Sequence, residues 1–411
     1  MENPDRIYRR RSSWRLALAA YALVAGTALL ASCGGDDGNS SDIGLKMQVL
    51  SSTSPDWVSG GDALVRVAGT LPAGSTVHVT LNGTDISNVF TPVDGQPTGL
   101  VTGMVDGKNT LAAEVTRSGE TAPFATQSLD VTNYPRSGPL FSGPRETPFL
   151  CETQNFTMPD GSKLGAPIDT DCSVTTRVDY VYRTTLTTGP QFLPLTDLTT
   201  LPADVATTTT NENKTVPYVV RIETGTANRA IYQTAVLHDP THETAPTFAN
   251  RPAGWNGRLV YSFGGGCTGG WYRQGNSTGG VLEDNILKQG YAMASSSLNV
   301  FGNNCQDLTA AESMSVVKER FIETYGAPLY TIGWGCSGGS YQQHQISDNY
   351  PGLLDGILPG CSFPEVAFAT VYSITDQRLL GHYFRDIVPG QFTDDQQRAV
   401  AGIQTLATMY T

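Results

Sequence analysis

The amino-acid sequence predicts an α/β fold with a mostly parallel sheet, preceded by a smaller β-sandwich. Two patterns indicate this fold. Apolar residues alternate with a period of two over residues 45–134, and short apolar strands alternate with helical segments from about residue 216 onward. A proline-rich stretch separates the two patterns. Strands that alternate with helices form a parallel sheet covered on both faces.

Residues 1–33 are predicted to be a targeting segment. Five arginines precede the apolar run "LALAAYALVAGTALLASC", and small residues before Cys33 are typical of the lipobox of bacterial lipoproteins. An ordinary signal peptide and an uncleaved anchor are the alternatives. Acylation of Cys33 would tether the protein to a membrane, and Gly34 resembles the sorting residue of outer-membrane lipoproteins. We therefore expect an exported lipoprotein at the outer membrane, at the cell surface or in the periplasm.

Residues 34–42, "GGDDGNSSD", contain no apolar residue and predict a flexible tether. Residues 43–134 follow as the predicted sandwich. Runs such as "STVHVTLNG" and "NTLAAEVTR" place apolar side chains on one strand face, and Asn82 and Gly83 predict a turn between strands. Short strands at this spacing favour an immunoglobulin-like sandwich.

Residues 135–215 are predicted to be a linker followed by an irregular, threonine-rich segment. The stretch "NYPRSGPLFSGPRETPF" contains turn residues throughout, and "RVDYVYRT" is the one strand-like run of this segment. A disulfide between Cys151 and Cys172 would stabilise the segment in place of a core.

Residues 216–411 are predicted to form the α/β domain, incomplete at its C-terminus. The domain begins with a hairpin whose strands lie near 218–223 and 230–237 and turn at Gly225. The remaining predicted elements are strands in "GRLVYSFGGGC", "YAMASSS", "APLYTIGWG" and "LLDGILPG", and helices at 281–289, 309–325 and 340–350.

Charge and cysteine content exclude several classes of function. The net charge of −12 argues against nucleic-acid partners, which require a positive field. Apart from Cys33 there are six cysteines, an even number that suits an oxidising compartment: Cys151, Cys172, Cys267, Cys305, Cys336 and Cys361. No C-x-x-C pair occurs, so neither a metal site nor a cofactor is expected.

The motif "GCSGG" at residues 335–339 points to a catalytic serine. A G-x-S-x-G motif between a strand and a helix forms a strained elbow that presents its serine, and the two glycines avoid a clash between strand and helix. Ser337 is therefore the predicted nucleophile, and a simple glycine turn is the alternative. Cys336 as a thiol nucleophile is disfavoured because Trp334 would then occupy a position that requires a small residue.

The upstream run "FGGGC" supplies candidate oxyanion donors. Glycines allow backbone N–H groups to face the developing oxyanion without interference from side chains. Gly265, Gly266 and Gly338, the residue after the nucleophile, are the predicted donors. A glycine turn that only lets Trp271 pack is the alternative.

No histidine of the sequence fits the role of catalytic base. In hydrolases of this type the acid and the histidine follow the serine along the chain. His344 lies about 10 Å along the elbow helix, at 1.5 Å per residue, and His382 with Asp376 belongs to a predicted helical lid. We therefore expect the acid and the histidine to lie beyond Thr411.

The other titratable clusters have predicted structural roles. His238, His242 and Glu243 have the spacing of metal ligands, but they lie in a proline-broken loop, so a loop role is favoured over a metal site. Asp355 and Glu365 lie near the strand after the elbow and are interpreted as solvated loop or lid carboxylates.

The elbow, the "GGGC" loop and the export signal resemble the tannase and feruloyl esterase group of α/β-hydrolases. With "FSGP" and "LPGCSFPE", the chain from about residue 43 onward resembles still more closely an uncharacterised family of exported bacterial proteins related to those esterases. The resemblance to the tannase group implies that Cys336 bridges to a cysteine beside the catalytic histidine, which would lie beyond Thr411. Strand adjacency instead pairs Cys336 with Cys361, and it also predicts a Cys267–Cys305 bridge.

These observations together predict a serine carboxylic-ester hydrolase of the α/β-hydrolase type. It would act on a small-molecule or polymeric ester through an acyl-enzyme. The alternative is a catalytically inactive, hydrolase-like surface protein that binds a glycan or a protein.

Overall fold

A computed structural model describes residues 43–268, 270–363, 371–402 and 405–410. The targeting segment with Cys33, the tether and Glu365 lie outside these residues, and the predictions made for them stay predictions. Among the helices that are described, none combines the length and the apolar character needed to cross a membrane.

The N-terminal part of the described chain consists of two sheets. Its strands are β1 (Lys46–Val49), β2 (Val58–Ser59), β3 (Asp62–Ala68), β4 (Thr76–Leu81), β5 (Thr84–Asp85), β6 (Phe90–Val93), β7 (Gln96–Thr102), β8 (Gly107–Thr116) and β9 (Ala125–Tyr134). One sheet has the order β1-β3-β7-β6 and the other the order β2-β9-β8-β4-β5.

The two N-terminal sheets share one hydrophobic core. Alternate residues of the strands point into it, as the period-two pattern predicts: Val65 from β3, Val79 from β4, Val101 from β7 and Leu111 from β8 are all buried. Two layers of strands around a common core agree with the predicted two-layer organisation, while the immunoglobulin-like strand order stays a prediction.

The rest of the described chain contains ten strands and six helices. The strands are β10 (Arg177–Arg183), β11 (Phe192–Pro194), β12 (Thr207–Thr209), β13 (Thr215–Pro217), β14 (Val219–Ala227), β15 (Ala230–Leu237), β16 (Arg258–Phe263), β17 (Ala292–Ser296), β18 (Tyr330–Cys336) and β19 (Gly356–Gly360). The helices are α1 (Asp284–Leu287), α2 (Asp307–Tyr325), α3 (Gly338–Asn349), α4 (Val371–His382), α5 (Asp394–Ala401) and α6 (Ala407–Tyr410).

Eight of these strands form one mixed sheet with the order β11-β10-β14-β15-β17-β16-β18-β19. The strands β17, β16, β18 and β19 are parallel, whereas every pair from β11 to β17 is antiparallel. The prediction of a mostly parallel sheet was therefore wrong for the half that runs from β11 to β17. Short connections join β10 to β11 and β14 to β15 in antiparallel pairs, since only a long crossover can return a strand to a parallel position.

The first hairpin of this sheet turns at a different place from the predicted one. Gly225 lies inside β14, and the turn is formed by Asn228 and Arg229, which have φ angles of 51° and 61°. A Cβ atom at position 225 would lie 3.0 Å from the Tyr232 ring. The glycine therefore permits close cross-strand packing rather than a turn.

Helices α2 and α3 cover one face of the parallel half. Buried residues of β16, α2 and α3, among them Tyr261, Phe321 and Ile346, share one core on this face. Helix α2 extends the prediction by two residues and ends before Gly326, whose φ is 83°. Helix α1 is shorter than the predicted 281–289.

The linker is fixed to α2 by a buried carboxylate. Glu312 has no exposed surface, and its Oε2 accepts hydrogen bonds from the backbone N–H groups of Leu140, Phe141 and Ser142 at 2.9, 2.8 and 2.7 Å. Three N–H groups on one carboxylate oxygen make a charge-assisted anchor. The "GPLFS" stretch is thus held in one path against the α/β part.

The sandwich contacts the same helix through a second carboxylate. Ser59 donates to Glu319 from its backbone N–H at 3.1 Å and from its hydroxyl at 2.5 Å. Burial raises the pKa of Glu319 and of Glu323, one turn further along α2, well above the usual glutamate value. The contact between β2 and α2 therefore favours protonated carboxyls.

Candidate active site

The predicted elbow lies where β18 ends and α3 begins. Ser337 occupies the junction with φ 60° and ψ −123°, and its side chain is exposed at the carboxyl edge of the sheet. A non-glycine residue with these angles is strained and persists only where the surrounding structure imposes it. The elbow is thus a rigid turn that presents a serine hydroxyl to solvent.

The neighbouring strand imposes the glycines on either side of Ser337. A Cβ atom at Gly335 or at Gly339 would collide with the backbone carbonyl of Phe263, the last residue of β16. Side chains are therefore excluded two positions before and two positions after Ser337. This is the steric reason for glycine in a G-x-S-x-G elbow.

The glycine loop after β16 lies directly beside the elbow. A Cβ atom on Gly265 would stand 3.3 Å from the Ser337 Cβ and 3.6 Å from the Gly338 nitrogen, and one on Gly338 would stand 3.2 Å from the Gly266 nitrogen. The structure thus brings together the four residues that the sequence singles out.

The backbone N–H groups of Gly265, Gly266 and Gly338 form no hydrogen bond with any described residue. Two of these peptide units are held through their carbonyl oxygens. Gly265 O, in the unit with Gly266 N, accepts from Gly302 N at 2.8 Å, and Ser337 O, in the unit with Gly338 N, accepts from Ser340 N at 2.9 Å. Fixed peptide units with free N–H groups are what an oxyanion requires.

A cleft of about 660 Å³ borders the elbow. Its walls include the side chains of Phe263, Trp334, Leu358 and Pro359, and none of its described lining residues is charged. The surroundings of the elbow on this side are therefore apolar.

The six cysteines of the described chain form three disulfides, Cys151–Cys172, Cys267–Cys305 and Cys336–Cys361. Of the two partners left open for Cys336, the structure has Cys361. This bridge links the residue before Ser337 to the end of β19, next to the hydrogen bond from Ser337 N to Gly360 O at 3.1 Å. The Cys267–Cys305 bridge closes the loop that follows the glycines.

None of the five histidines, all of which are described, bonds to Ser337. His344 Nε2 lies 2.9 Å from Ser362 Oγ, and His382 Nδ1 lies 2.8 Å from Asp386 Oδ2 rather than beside Asp376. The remaining three, His78, His238 and His242, contact Asp85, Tyr180 and Asp239, respectively. The expectation that the base for Ser337 lies elsewhere stays a prediction.

The proline-broken loop 238–243 is organised by hydrogen bonds within the protein. His238 lies between the Tyr180 hydroxyl and the Thr244 carbonyl, and the Asp239 N–H donates to Glu243 at 3.0 Å. No group of three or more metal-ligating side chains occurs among the described residues. Asp355 is exposed in the loop before β19, as predicted, and it also accepts a bond from Thr331 N at 2.7 Å, which fixes the start of β18.

Sequence reasoning missed three buried polar residues behind the site. Asn299, Gln342 and Gln343 have no exposed surface. The Asn299 Oδ1 accepts a bond from the Tyr261 hydroxyl at 2.8 Å, and full burial raises the pKa of Tyr261, which keeps that hydroxyl protonated. Both glutamines lie on the buried stripe of α3 with Gly339 and Ile346, a helical spacing that would have revealed them.

Comparisons with known proteins show what this chain is similar to. The model of the "Tannase-like family of unknown function (DUF6351)" matches residues 47–411. The o-phthalyl amidase of Xanthobacter agilis is 24% identical over 148 residues, which are 35% of this chain and 31% of that protein. The solved structure of tannin acyl hydrolase from Aspergillus niger matches 53% of this chain and 37% of its own, with 16% identity and a TM-score of 0.28. This chain thus spans about a third of the length of these relatives.

Proposed function

The chain belongs to the tannase-like family of unknown function, and on this premise we propose that it is a serine-dependent carboxylic-ester hydrolase acting outside the cytoplasm. One observation carries the proposal. Ser337 is exposed on a strained turn, and beside it lie three backbone N–H groups that form no hydrogen bond with the described residues. Such an arrangement stabilises a tetrahedral oxyanion formed on the serine.

In the proposed reaction Ser337 Oγ attacks the ester carbonyl and the carbonyl oxygen becomes an oxyanion. Gly338 and one of Gly265 and Gly266 donate their N–H groups to it. The bond to the alkoxy oxygen then breaks, the alcohol leaves with a proton, and water hydrolyses the acyl-enzyme. The first step requires a base within hydrogen-bond reach of Oγ, a place that none of the five histidines occupies.

The sheet supports an α/β-hydrolase type of site. The nucleophile follows β18 and the oxyanion loop follows the adjacent parallel strand β16, so both lie at the same carboxyl edge. Antiparallel neighbours would have placed the two loops at opposite ends of the sheet. The cleft beside the elbow gives an apolar acyl or alcohol group a place to bind.

The direct test is replacement of Ser337 in the protein expressed from its complete gene. Ser337→Ala should lower kcat toward p-nitrophenyl butyrate by about 10⁶-fold, because the acyl-enzyme loses its only attachment point. Ser340→Ala is the matched control, since Ser340 is buried on the same helix and its hydroxyl has no partner among the described residues. Equal activity of the Ser337→Ala variant and the wild type would refute the proposal.

A catalytically inactive surface-binding protein is the second candidate. The observation that favours it is the absence of a histidine beside Ser337 in the described chain. A panel of aryl, feruloyl, galloyl and hydroxyalkanoate esters distinguishes the two functions, and the amidase relative adds phthalyl amides to that panel. Hydrolysis of none of these compounds, with an intact fold, would favour the binding function.

We further propose that Cys33 carries a lipid that anchors the protein to a membrane, at the outer face of a bacterial cell. The three disulfides suit an exported protein. Metabolic labelling with a palmitate analogue should mark the wild type, and Cys33→Ser should abolish the label and release soluble protein. Undiminished labelling of the variant would rule out this anchor.

A further inference from the structure

A buried glutamine of the elbow helix reaches into the oxyanion loop. Gln342 has no exposed surface, and its Nε2 donates to the Gly264 carbonyl at 3.0 Å and to the Gly338 carbonyl at 3.3 Å. A buried amide without hydrogen-bond partners is strongly unfavourable, so this side chain is held to these acceptors. One residue of α3 therefore connects the helix that starts at the nucleophile to the loop that faces it.

The bond from Gln342, together with one from Phe301 N at 3.2 Å, fixes the Gly264 carbonyl and thereby the direction of the next N–H group. The Gly264 carbonyl and the Gly265 N–H belong to one planar trans peptide unit, in which oxygen and hydrogen point in opposite directions. A donor that fixes the oxygen on the side of Gln342 thus directs the hydrogen away from it. Gly265 is the residue that lies beside Ser337.

A second buried residue holds the preceding peptide unit, to which the Gly264 N–H belongs, and contacts the Gln342 side chain. The Asn299 carbonyl accepts a bond from Gly264 N at 2.9 Å, and the Asn299 side chain donates to the Ala310 carbonyl at 2.8 Å and to the Gln342 Oε1 at 3.5 Å. The network is buried, so water does not compete for its members. It gives the Gly264–Gly265 peptide little freedom to rotate.

We propose that Gln342 is a positioning residue for catalysis, which sets the direction of the Gly265 N–H donor and its distance from Ser337. The inference rests on the proposed function and assigns this role to a residue that does not touch the substrate. A donor turned away by a fraction of an ångström loses most of its effect on the oxyanion.

The neighbouring residue offers a matched control. Gln343 is on the same helix and equally buried, but its Nε2 donates to the Gly335 carbonyl at 3.1 Å, and its Oε1 accepts from Leu358 N at 3.0 Å. It connects β18 to β19 and makes no bond to the oxyanion loop. Loss of Gln343 therefore measures the structural cost of a buried glutamine without the proposed positioning role.

The experiment compares Gln342→Met and Gln343→Met with the wild type, all expressed from the complete gene. Methionine fills a similar volume without a donor, and the Gly264 carbonyl keeps its bond from Phe301 N at 3.2 Å. We expect Gln342→Met to lower kcat about 10- to 100-fold with less than a threefold change in KM. Gln343→Met should lower Tm at least as much and kcat less than threefold.

A second variant tests the donor itself. In Gln342→Glu the side chain keeps its length, and it can donate to Gly264 only while it is protonated. The ratio of its kcat to that of the wild type, measured at each pH, should fall as pH rises. A pH-independent ratio, or equal kcat losses in Gln342→Met and Gln343→Met, would overturn the inference.

The outcome also separates this inference from the function on which it rests. An active wild type that depends on Ser337, together with an unaffected Gln342→Met, overturns the role of Gln342 alone. The proposed function is overturned if the wild type hydrolyses no ester and a fluorophosphonate does not label Ser337. In that case the positioning role of Gln342 is overturned as well.

Discussion

The two sides of Ser337 are built in different ways. On the β16 side, the N–H groups of Gly265 and Gly266 have no partner among the described residues, and the carbonyls of their peptide units accept bonds from Gln342 and Gly302. On the β19 side, the elbow is held by the Cys336–Cys361 disulfide, and no histidine bonds to the serine. The β16 side thus carries the proposed oxyanion donors, whereas on the β19 side the described contacts are structural.

The difference follows from how each kind of group reaches a site. Oxyanion donors are backbone groups of two loops that adjacent parallel strands bring to one edge, so local sequence specifies them completely. A general base is a side chain that must arrive from an element distant along the chain. Glycines in "GGGC" and "GCSGG" therefore reveal one half of a hydrolase site, while the other half has no local signature.

Glycine substitutions on the two sides should separate them most strongly. A Cβ atom on Gly265 would lie 3.0 Å from the Cys336 carbonyl and 3.3 Å from the Ser337 Cβ, so Gly265→Ala should displace the donor and lower kcat about 10²- to 10³-fold. On the β19 side a Cβ atom on Gly360 meets nothing closer than 3.4 Å. Gly360→Ala should change kcat less than threefold, and the comparison fails if the two variants lose kcat equally.

Removal of the disulfide tests the β19 side. The Cys336→Ser and Cys361→Ser double variant opens a bridge of sequence separation 25, so the free energy of unfolding should fall by about 2–4 kcal/mol. The matched control removes Cys151–Cys172, of separation 21, at a similar cost in stability.

We expect the loss of Cys336–Cys361 to lower kcat about tenfold, because the residue before Ser337 is no longer fixed to β19. Loss of the control bridge should leave kcat unchanged. Calorimetry measures the stability of both variants, and steady-state kinetics measures their kcat. An equal fall of kcat in the two variants would contradict this expectation.

How far the sequence predicts this molecule depends on the range of the interactions. The elbow, the glycine loop and the strands β16 to β19 follow from local patterns, and the structure has them close to their predicted positions. The turn at Asn228 and Arg229 was misplaced because Gly225 was interpreted as a turn residue, although its role is to make room for Tyr232. A cross-strand packing requirement cannot be distinguished from a turn in one sequence.

Buried polar residues are the larger omission. Gln342, Gln343 and Glu312 are residue types that usually lie on surfaces, and their partners are backbone groups up to 172 positions away. The pairing of β10 with the large sheet was missed for a related reason. The strand β10 lies in a threonine-rich segment, and its pairing with β14 connects it to the rest of the sheet. The first residues of these two strands, Arg177 and Val219, are 42 positions apart in the sequence.

The carboxylates of α2 should give the fold a pH dependence that both sides of the site share. Burial is the largest cause of both raised pKa values. Asp62 raises the pKa of both carboxyls further and Glu319 raises that of Glu323, whereas Arg136 lowers both, the bonds from Ser59 lower that of Glu319 and Arg320 lowers that of Glu323. A carboxyl with a raised pKa in the folded state stabilises that state fully below about pH 4.5, its ordinary pKa, and loses this contribution as pH rises.

Glu319→Gln should therefore make Tm less sensitive to pH. We expect wild type and variant to unfold at similar temperatures near pH 4, and the variant to be more stable by about 2 °C or more near pH 8. Calorimetry across this range checks the expectation, and a variant that is less stable than the wild type at pH 8 would contradict it. Because α2 lies behind the whole parallel half, kcat of Gly265→Ala and Gly360→Ala should keep the same ratio at both pH values.

Substitution of the histidines should have the smallest effect and gives the most decisive comparison. His344 contacts Ser362, and His382 has a 58% exposed side chain paired with Asp386 one turn away. Neither touches Ser337, so His344→Ala and His382→Ala should each change kcat less than twofold. A catalytic histidine, by contrast, contributes about as much as the serine itself, roughly 10⁶-fold. The two expected effects on kcat differ by several orders of magnitude, far more than the experimental error of a kcat measurement. If His382→Ala abolished activity while Tm stayed the same, the helical segment after residue 371 would have to close over the elbow, and the β19 side would hold the base after all.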